Sequence, residues 1–208
     1  MSEDKRSQDV IDKNEILEIA TISRWCRDSG DSAGMLDCFH SDARVETSWF
    51  SGSREEWVRE SGKMMAGHNP KDVQRHIMGN PYVALKGDRA ICKYTIILYQ
   101  RRMLDGYEFD LTTWSVSIDF FEKRDGLWRI SKRATIYEKD RLEPHHPTEV
   151  PHSYFKGLDL SRYPHVLRYH CYRNERSSGR SPSPSLVFRG TPQEETIRRD
   201  AERWLEHQ

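Results

Sequence analysis

Hydrophobic and polar residues follow two different rhythms along the chain, and the change of rhythm separates predicted helices from predicted strands. Apolar residues recur with helical spacing over 10–27, a stretch without Gly or Pro, which predicts a first helix. A short second helix is predicted by AGMLDCFHSDA. A strand is predicted by ARVETSWF, and SGS is predicted to form the turn after it. REEWVRESGKMMAG predicts a third helix, at whose start Ser53 and Glu56 are spaced as a capping box.

From Gln74 onward the rhythm becomes that of β-strands. Four long runs follow one another: QRHIMGNPYVAL, RAICKYTIILYQRRM, YEFDLTTWSVSIDFFEK and LWRISKRATIYEK. The short junctions KGD, LDG and RDG predict an antiparallel meander, and strands of this length carry bulges and bend. Pro81 marks an edge or bulge position. We therefore expect an α+β fold: a cone-shaped, curved antiparallel sheet closed by three N-terminal helices.

The character of the chain changes near residue 144, which predicts a cone domain over 10–143 and a C-terminal extension over 144–208. PHHPTEVPHSYFKG indicates a proline-punctuated surface segment, and NERSSGRSPSPS a solvated loop. Thr191 and Pro192 then open an amphipathic helix that must dock on its own domain or on a neighbouring subunit. Its apolar face carries Ile197, Ala201, Trp204 and Leu205.

Composition narrows the classes of partner. Lys and Arg together number 33, as do Asp and Glu, so no excess positive charge favours a nucleic acid or an anionic membrane. No apolar run has the length of a secretion signal core or a membrane span, so we expect a soluble, cytoplasmic protein. Four cysteines without a CxxC pair predict reduced core thiols: Cys26, Cys38, Cys92 and Cys171.

The histidines of the extension raise the question of a metal site. His145, His146 and His152 lie in the Pro-rich segment without carboxylate or cysteine partners at ligand spacing. His165 and His170 are five positions apart and do not share a helix face as HExxH ligands would. We expect no metal and no organic cofactor.

Three motifs give the chain a family resemblance. In the first motif, RWCRDSGDSAGMLDCFHSDARV, Asp28 lies fourteen residues before Asp42. In the second, RHIMGN, His76 lies four residues before Asn80. The third is the sequence of the last strand, WRISKRATIYEKDR. Over Asn14 to Glu143 the chain resembles the nuclear transport factor-like superfamily, and within it the polyketide-cyclase-like, or SnoaL-like, branch. The resemblance implies the same cone-shaped fold.

The resemblance also implies a catalytic pair. In hexachlorocyclohexane dehydrochlorinase and scytalone dehydratase, relatives in this superfamily, an aspartate and a histidine at the matching positions act together; here these are Asp28 and His76. An imidazole titrates near neutrality, and a carboxylate bonded to one ring nitrogen fixes its tautomer and stabilises the imidazolium. The alternative is structural, since a strand histidine is often a satisfied polar residue and an aspartate after a helix is often a cap.

Further site residues follow from the same resemblance. Arg133 matches a pocket position and would hold a departing anion, with an exposed strand charge as the equal alternative, and Asn80 would be auxiliary. Four residues are expected either in the plain core or as an apolar wall of the cone: Trp25, Trp49, Trp114 and Met78.

A tyrosine that polarises the leaving group in dehydratases of this superfamily is replaced here by Ser23. The hydroxyl must then come from another element, and the strand residues Tyr82, Tyr94 and Tyr99 are candidates, Tyr82 and Tyr99 first. Together these features favour a cofactor-independent lyase acting on a small hydrophobic cyclic or aromatic molecule, as a dehydratase, dehydrohalogenase or formaldehyde-releasing enzyme.

Two other functions stay open on the sequence. One is an isomerase of the ketosteroid isomerase type, which returns the abstracted proton to the same molecule. The other is a non-catalytic small (beta) subunit of a ring-hydroxylating dioxygenase, which shares the cone. Relatives in this branch also lead us to expect a homodimer or homotrimer formed through the outer face of the sheet.

Overall fold

A computed structural model describes residues 3–67, 69 and 71–206 of the chain. Six α-helices lie in this part: α1 (Glu3–Ser29), α2 (Ser32–Asp37), α3 (Arg54–Ala66), α4 (Ser153–Gly157), α5 (Arg168–Ser178) and α6 (Pro192–Glu206). Its strands are β1 (Phe39–Glu46), β2 (Ser51–Ser53), β3 (Val73–Lys86), β4 (Arg89–Leu104), β5 (Tyr107–Arg124), β6 (Leu127–Pro144) and β7 (Val187–Phe188). The last two residues of the predicted extension lie outside the described part.

The sheet is curved and mixed. Strands β3 to β6 form the antiparallel meander that the turn signals predict, in the order β2, β1, β6, β5, β4, β3, with β7 beside β6. β1 and β7 pair with β6 in parallel, so the expectation of a wholly antiparallel sheet is wrong at this edge. SGS is not a plain turn, because its residues form β2 and pair with β1. The α+β class and the curved sheet with three N-terminal helices are as predicted.

Bulges account for the bending of the long strands. The register of β3 against β4 shifts between Gly79 and Tyr82, where Asn80 has φ 49° and Pro81 follows it. A proline donates no ladder hydrogen bond, which is why it is tolerated at such an irregular edge position. Two further shifts occur in β5 against β6, after Trp114 and after Phe120.

Helices α1 to α3 cover the inner face of the sheet and build the main core. Ile16, Phe39, Phe121 and Ile130 are completely buried there. The capping box at the start of α3 forms, since the Ser53 side chain accepts from the Glu56 amide while the Glu56 side chain accepts from the Ser53 amide. The four cysteines are free thiols and buried: Cys26, Cys38, Cys92 and Cys171.

The C-terminal extension packs on both sides of this framework. The apolar face of α6 covers part of the outer face of the sheet around Ile118 and Phe120, and the Trp204 Nε1 donates to the Phe121 carbonyl at 3.0 Å. The amphipathic helix therefore docks on its own sheet. No helix in 3–67 or 71–206 is long and apolar enough to cross a membrane.

The stretch NERSSGRSPSPS is not a free solvated loop: residues 174–178 belong to α5, and the remainder is held against the fold. The Ser183 amide donates to the Ser48 carbonyl at 2.8 Å, and the Arg180 guanidinium lies over the Trp49 ring at 4.8 Å and pairs with Glu60 at 3.1 Å. These contacts hold the loop against the turn after β1. Sequence composition overlooks them because each involves residues more than a hundred positions apart.

Candidate active site

Asp28 and His76 come together where the last turn of α1 meets the edge strand β3. One carboxylate oxygen, Oδ1, lies 2.6 Å from the His76 Nδ1, and the other, Oδ2, accepts the His76 backbone N–H at 2.6 Å. The Gln74 amide adds a longer contact to Oδ1 at 3.4 Å. The backbone bond fixes the carboxylate against β3, and the bond to Nδ1 then holds the imidazole to that fixed carboxylate.

The electrostatics of this pair favour a carboxylate beside a neutral imidazole. Burial raises the pKa of Asp28, but the hydrogen bonds and charge of His76 outweigh burial and hold that pKa below its usual value. Burial is also the largest influence on His76 and lowers the pKa of its imidazole, against the opposing pull of Asp28. With Nδ1 bonded to the carboxylate as a donor, Nε2 is the nitrogen left with a lone pair to accept a proton.

His76 faces a cavity of about 60 Å³ inside the cone. Most of its lining side chains are polar, which differs from the apolar wall expected from the sequence. Trp49 and Trp57 do contribute aromatic surface. The polar lining residues come from α1, the turn after β1, strands β3 to β6 and α5: Arg24, Arg27, Ser48, Gln74, Gln100, Thr113, Ser115, Thr135, Tyr137, His170, Arg173 and Asn174.

Arg133 does not line this cavity. Its guanidinium is completely buried and forms a two-pronged ion pair with Asp119, at 2.7 Å from Nε and 2.6 Å from Nη2. Nη2 also donates to Ser23 at 2.8 Å and to the Tyr94 hydroxyl at 3.1 Å. Both predicted alternatives, pocket ligand and exposed strand charge, are wrong, because Asp119 lies directly opposite Arg133 on β5 and neutralises it in the interior.

Trp114, predicted for the apolar wall, and Tyr99, predicted as a candidate hydroxyl, both lie on the outer face of the sheet. Thr113 and Ser115 line the cavity, so Trp114 between them points outward, where Lys139 lies over its ring at 4.4 Å. By the same alternation Gln100 points inward, and Tyr99 is 47% exposed on the outer side.

Other predicted residues lie at the surface between α1 and β3. Asn80 is exposed at the bulge and Tyr82 is 63% exposed, so neither reaches the cavity. Trp25 is 74% exposed and, with Met78, lines a separate outer groove of about 360 Å³. Asp28 and His76 also line this groove, which places the pair between the outer groove and the inner cavity.

Tyr137 and His170 are cavity residues that sequence reasoning missed. The Tyr137 hydroxyl accepts the Ser48 amide at 2.9 Å, and the Ser48 hydroxyl lies 2.9 Å from the His170 Nε2. The other His170 ring nitrogen lies 3.1 Å from the Thr113 hydroxyl. Burial raises the pKa of Tyr137 and lowers the pKa of His170 well below its usual value, so both rings are uncharged near neutral pH.

A signal for these residues does exist in the strand pattern. In SVSID the polar Ser115, Ser117 and Asp119 alternate with apolar residues, and in RATIY Arg133 and Tyr137 share one face. A polar face on a strand deep in the fold marks either a site or a buried network. Here it marks both, since Ser115 and Tyr137 line the cavity while Asp119 and Arg133 pair beneath it.

One group of side chains has the composition of a metal site. The ligand atoms of Glu108, His145 and His146 lie within 4.8 Å of one another at the far ends of β5 and β6. Glu108 supplies the carboxylate that spacing along the sequence did not reveal, and its carbonyl accepts the His145 amide at 2.9 Å. The group is partly exposed and lies outside both the cavity and the groove.

The fold defines the class: an α+β protein with the cystatin-like, NTF2-like fold. A protein from Novosphingobium aromaticivorans named as a scytalone dehydratase superposes with a TM-score of 0.57 at 13% identity, over 68% of this chain and 92% of that one. Hexachlorocyclohexane dehydrochlorinase LinA type 2 gives 0.57 at 12% identity, over 66% and 92%. These likenesses concern the fold.

The chain belongs to the SnoaL-like domain family, whose sequence profile matches residues 8–134. It is 27% identical over 207 residues to a PEP2-like protein of Fusarium vanettenii, covering 95% of this chain and 87% of that protein. It is 26% identical over 170 residues to pea pathogenicity protein 2 of the same organism, covering 82% and 72%.

Proposed function

We propose that this protein is an acid–base lyase that eliminates a small leaving group from a small organic molecule. The observation that carries the proposal is the pair formed by Asp28 and His76, joined at 2.6 Å and facing both a cavity and a groove. A histidine that served only to satisfy hydrogen bonds would not need a carboxylate that bonds both its ring and its backbone, next to a cavity and a groove. The family and the fold neighbours, among them a dehydrochlorinase, agree with this chemistry.

In the proposed reaction His76 is the base and Asp28 positions it. The Nε2 lone pair takes a proton from carbon, the C–H electrons form the new double bond, and the leaving group departs with its bonding electrons. A departing hydroxide takes the proton back from the imidazolium and leaves as water, which restores the neutral base. Asp28 stabilises the imidazolium between these steps, and a positioned base of this kind contributes roughly two to four orders of magnitude in rate.

Tyr137 is our candidate for the hydroxyl that Ser23 cannot supply. Its oxygen already accepts the Ser48 amide, so its own proton is free to be donated to a ligand in the cavity it lines. Burial raises its pKa, which keeps the phenol protonated as a donor. A donor held in this way polarises a carbonyl or a leaving oxygen.

The outer groove supports a cyclic or aromatic substrate body. Trp25, Ile77 and Met78 give it a largely apolar lining, and its volume of about 360 Å³ accommodates a ring. An isomerase would use the same pair, but it would return the proton to another carbon instead of releasing a fragment.

Turnover by purified protein tests the proposal. Hydroxylated, halogenated and biaryl ring compounds, with and without an added carboxylate, are incubated with the wild type and with His76→Ala, Asp28→Asn and His152→Ala. The product identifies the bond that is broken: a dehydrated product, free halide or free formaldehyde. His152 is an exposed histidine far along the chain from the pair, so its variant controls for loss of an imidazole.

We expect losses of roughly a hundredfold or more in the first two variants and none in the third. Product of unchanged composition with a shifted double bond would establish the isomerase instead. No turnover by the wild type, with co-purification of a larger metal-containing subunit, would favour the dioxygenase small subunit.

A further inference from the structure

The cavity beside His76 is lined by three buried arginines. Arg24, Arg27 and Arg173 are 8%, 5% and 5% exposed, and all three line the cavity. No aspartate or glutamate is among its lining residues, and its two histidines are kept neutral by burial. The cavity therefore carries positive charge with no matching negative charge on its wall.

None of the three guanidinium groups has a carboxylate within ion-pair distance in the described part of the chain. The Arg27 Nη2 contacts only the Met64 sulfur, at 3.9 Å, and its buried Nη1 lacks a hydrogen-bond partner. Arg173 donates from Nη2 to the Gln100 side chain, while its buried Nε has no partner.

Arg24 differs from the other two in its environment. Its Nη2 donates to the hydroxyls of Ser117 at 2.7 Å and Tyr94 at 3.2 Å, at the edge of the network that contains Asp119. The field of that carboxylate partly balances Arg24. Arg27 and Arg173 feel the more distant carboxylates of Asp28 and Asp72, but neither guanidinium reaches a network that contains a carboxylate.

Burying a guanidinium without an anion is unfavourable, so a fold that does so twice in one cavity calls for an explanation. Burial lowers the pKa of Arg27 to about 10 and that of Arg173 to about 9, and the neighbouring arginines lower both pKa values further, against the opposing fields of Asp28 and Asp72. A purely structural role explains the Gln100 contact of Arg173, but it leaves the Arg27 guanidinium without an oxygen partner.

We propose that the cavity binds the carboxylate of an organic acid and that Arg27 and Arg173 are its anchor. The planar fork of a guanidinium matches the two oxygens of a carboxylate and holds it in one orientation. Tyr137 and His170 supply further polar groups on the same wall. Binding of the acid does not depend on the proposed function. The statement that this acid is the substrate presented to His76 does rest on it.

The size of the cavity limits what lies in it. About 60 Å³ corresponds to on the order of four to five water molecules, the room needed by a carboxylate and one or two further carbons. A ring attached to that acid would extend past His76 into the groove, which His76 and Arg24 also line. The substrate class is thus a small acid, or a ring that carries a short acidic side chain.

One of the two anchor residues comes from outside the family domain. Arg173 belongs to α5, with His170 and Asn174 on the same face, whereas the family profile ends at residue 134. The C-terminal extension would therefore set substrate specificity, while the SnoaL-like part supplies the acid–base pair.

Binding of simple acids by the full chain tests the proposal without knowledge of the substrate. Acetate and phenylacetate are titrated calorimetrically in chloride-free buffer, with acetamide and phenylacetamide as uncharged isosteres. The variants are Arg173→Gln, Arg27→Gln and, as a control, Arg203→Gln on the exposed side of α6. Thermal unfolding without ligand shows whether each variant folds.

We expect at least one acid to bind and its amide to bind at least tenfold more weakly. Arg173→Gln and Arg27→Gln should each weaken acid binding roughly tenfold or more, as expected for a charge-assisted hydrogen bond, and Arg203→Gln should have no effect. Neither cavity variant should unfold at a lower temperature than the wild type in the absence of ligand, because each removes an uncompensated buried charge.

Equal binding of acids and amides, failure of both acids to bind, or unchanged affinity in both cavity variants would overturn the proposal. His76→Ala separates the two proposals, since it should bind acids and lack turnover. Acid binding that depends on Arg27 and Arg173, without turnover that depends on His76, would sustain the anchor and refute the lyase.

Discussion

Arg133 provides a sharp test of how the interior of the cone is held together. Replacing it with methionine removes the guanidinium but fills most of its volume, and leaves the Asp119 carboxylate in a completely buried position. Asp119 then retains the Tyr94 hydroxyl at 2.6 Å and the weaker Ser117 contact at 3.4 Å, but it loses both charged hydrogen bonds from Arg133.

The expected cost follows from this geometry. Breaking a buried ion pair by removing one partner destabilises a fold by about 3–5 kcal/mol. At about 2–4 °C per kcal/mol for a chain of this size, the midpoint of thermal unfolding should fall by roughly 6–20 °C. The neighbouring Lys132→Met is the matched control, because Lys132 is half-exposed, lies 3.8 Å from Glu46 and should cost less than about 1 kcal/mol.

For both variants, urea unfolding monitored by tryptophan fluorescence gives the free energy of unfolding, and calorimetry gives the midpoint of thermal unfolding. The double variant Arg133→Met with Asp119→Leu should recover much of the loss, since it removes the stranded charge as well. If Arg133→Met unfolds within about 1 kcal/mol of Lys132→Met, the ion pair does not have the role that its burial implies. The assignment of Arg133 to the framework, instead of the cavity, would then fail.

Three further outcomes follow from single contacts. Because the pKa of His76 is lowered, its neutral, basic form persists below pH 6.5. The value of kcat/KM should therefore fall toward acid pH with an apparent pKa below 6.5. An acid-side fall with an apparent pKa above 7 would contradict a neutral buried base. Ser53→Ala removes the capping box with Glu56 and should cost about 1 kcal/mol in urea unfolding, and no change would show that the cap is not formed in solution. Tyr137→Phe keeps the ring but loses the hydroxyl that accepts from Ser48; kcat should fall roughly tenfold or more with KM little changed, and full activity would exclude it as the polarising donor.

The pair of Asp28 and His76 was predicted from the family resemblance. The rhythm of apolar residues was enough to predict α1, α3, α6 and the meander. It misplaced the aromatic residues because it assumed that large rings point inward. Near the open end of this cone the inner face is polar, so Trp114 points outward to Lys139 while Thr113 and Ser115 line the cavity.

Arg133 was misplaced for a different reason. A charged residue on a strand indicates a surface position until its cross-strand partner is known, and the pairing with Asp119 depends on the register shift after Phe120. The residues of α5 were missed because nothing local in the sequence says where an irregular extension docks. His170 and Arg173 are held at the cavity by contacts with the turn after β1 and with β4 and β5.

The ring of His76 itself provides the most direct test of the central claim, without any substrate. Nitrogen-15 chemical shifts of the histidine side chains at pH 7 distinguish the two neutral tautomers and the imidazolium, and Asp28→Asn serves as the comparison. We expect His76 to carry its proton on Nδ1, held by Asp28, to leave Nε2 unprotonated, and to change its tautomer balance in the variant. An imidazolium at pH 7, a proton on Nε2, or spectra that do not respond to Asp28→Asn would contradict it.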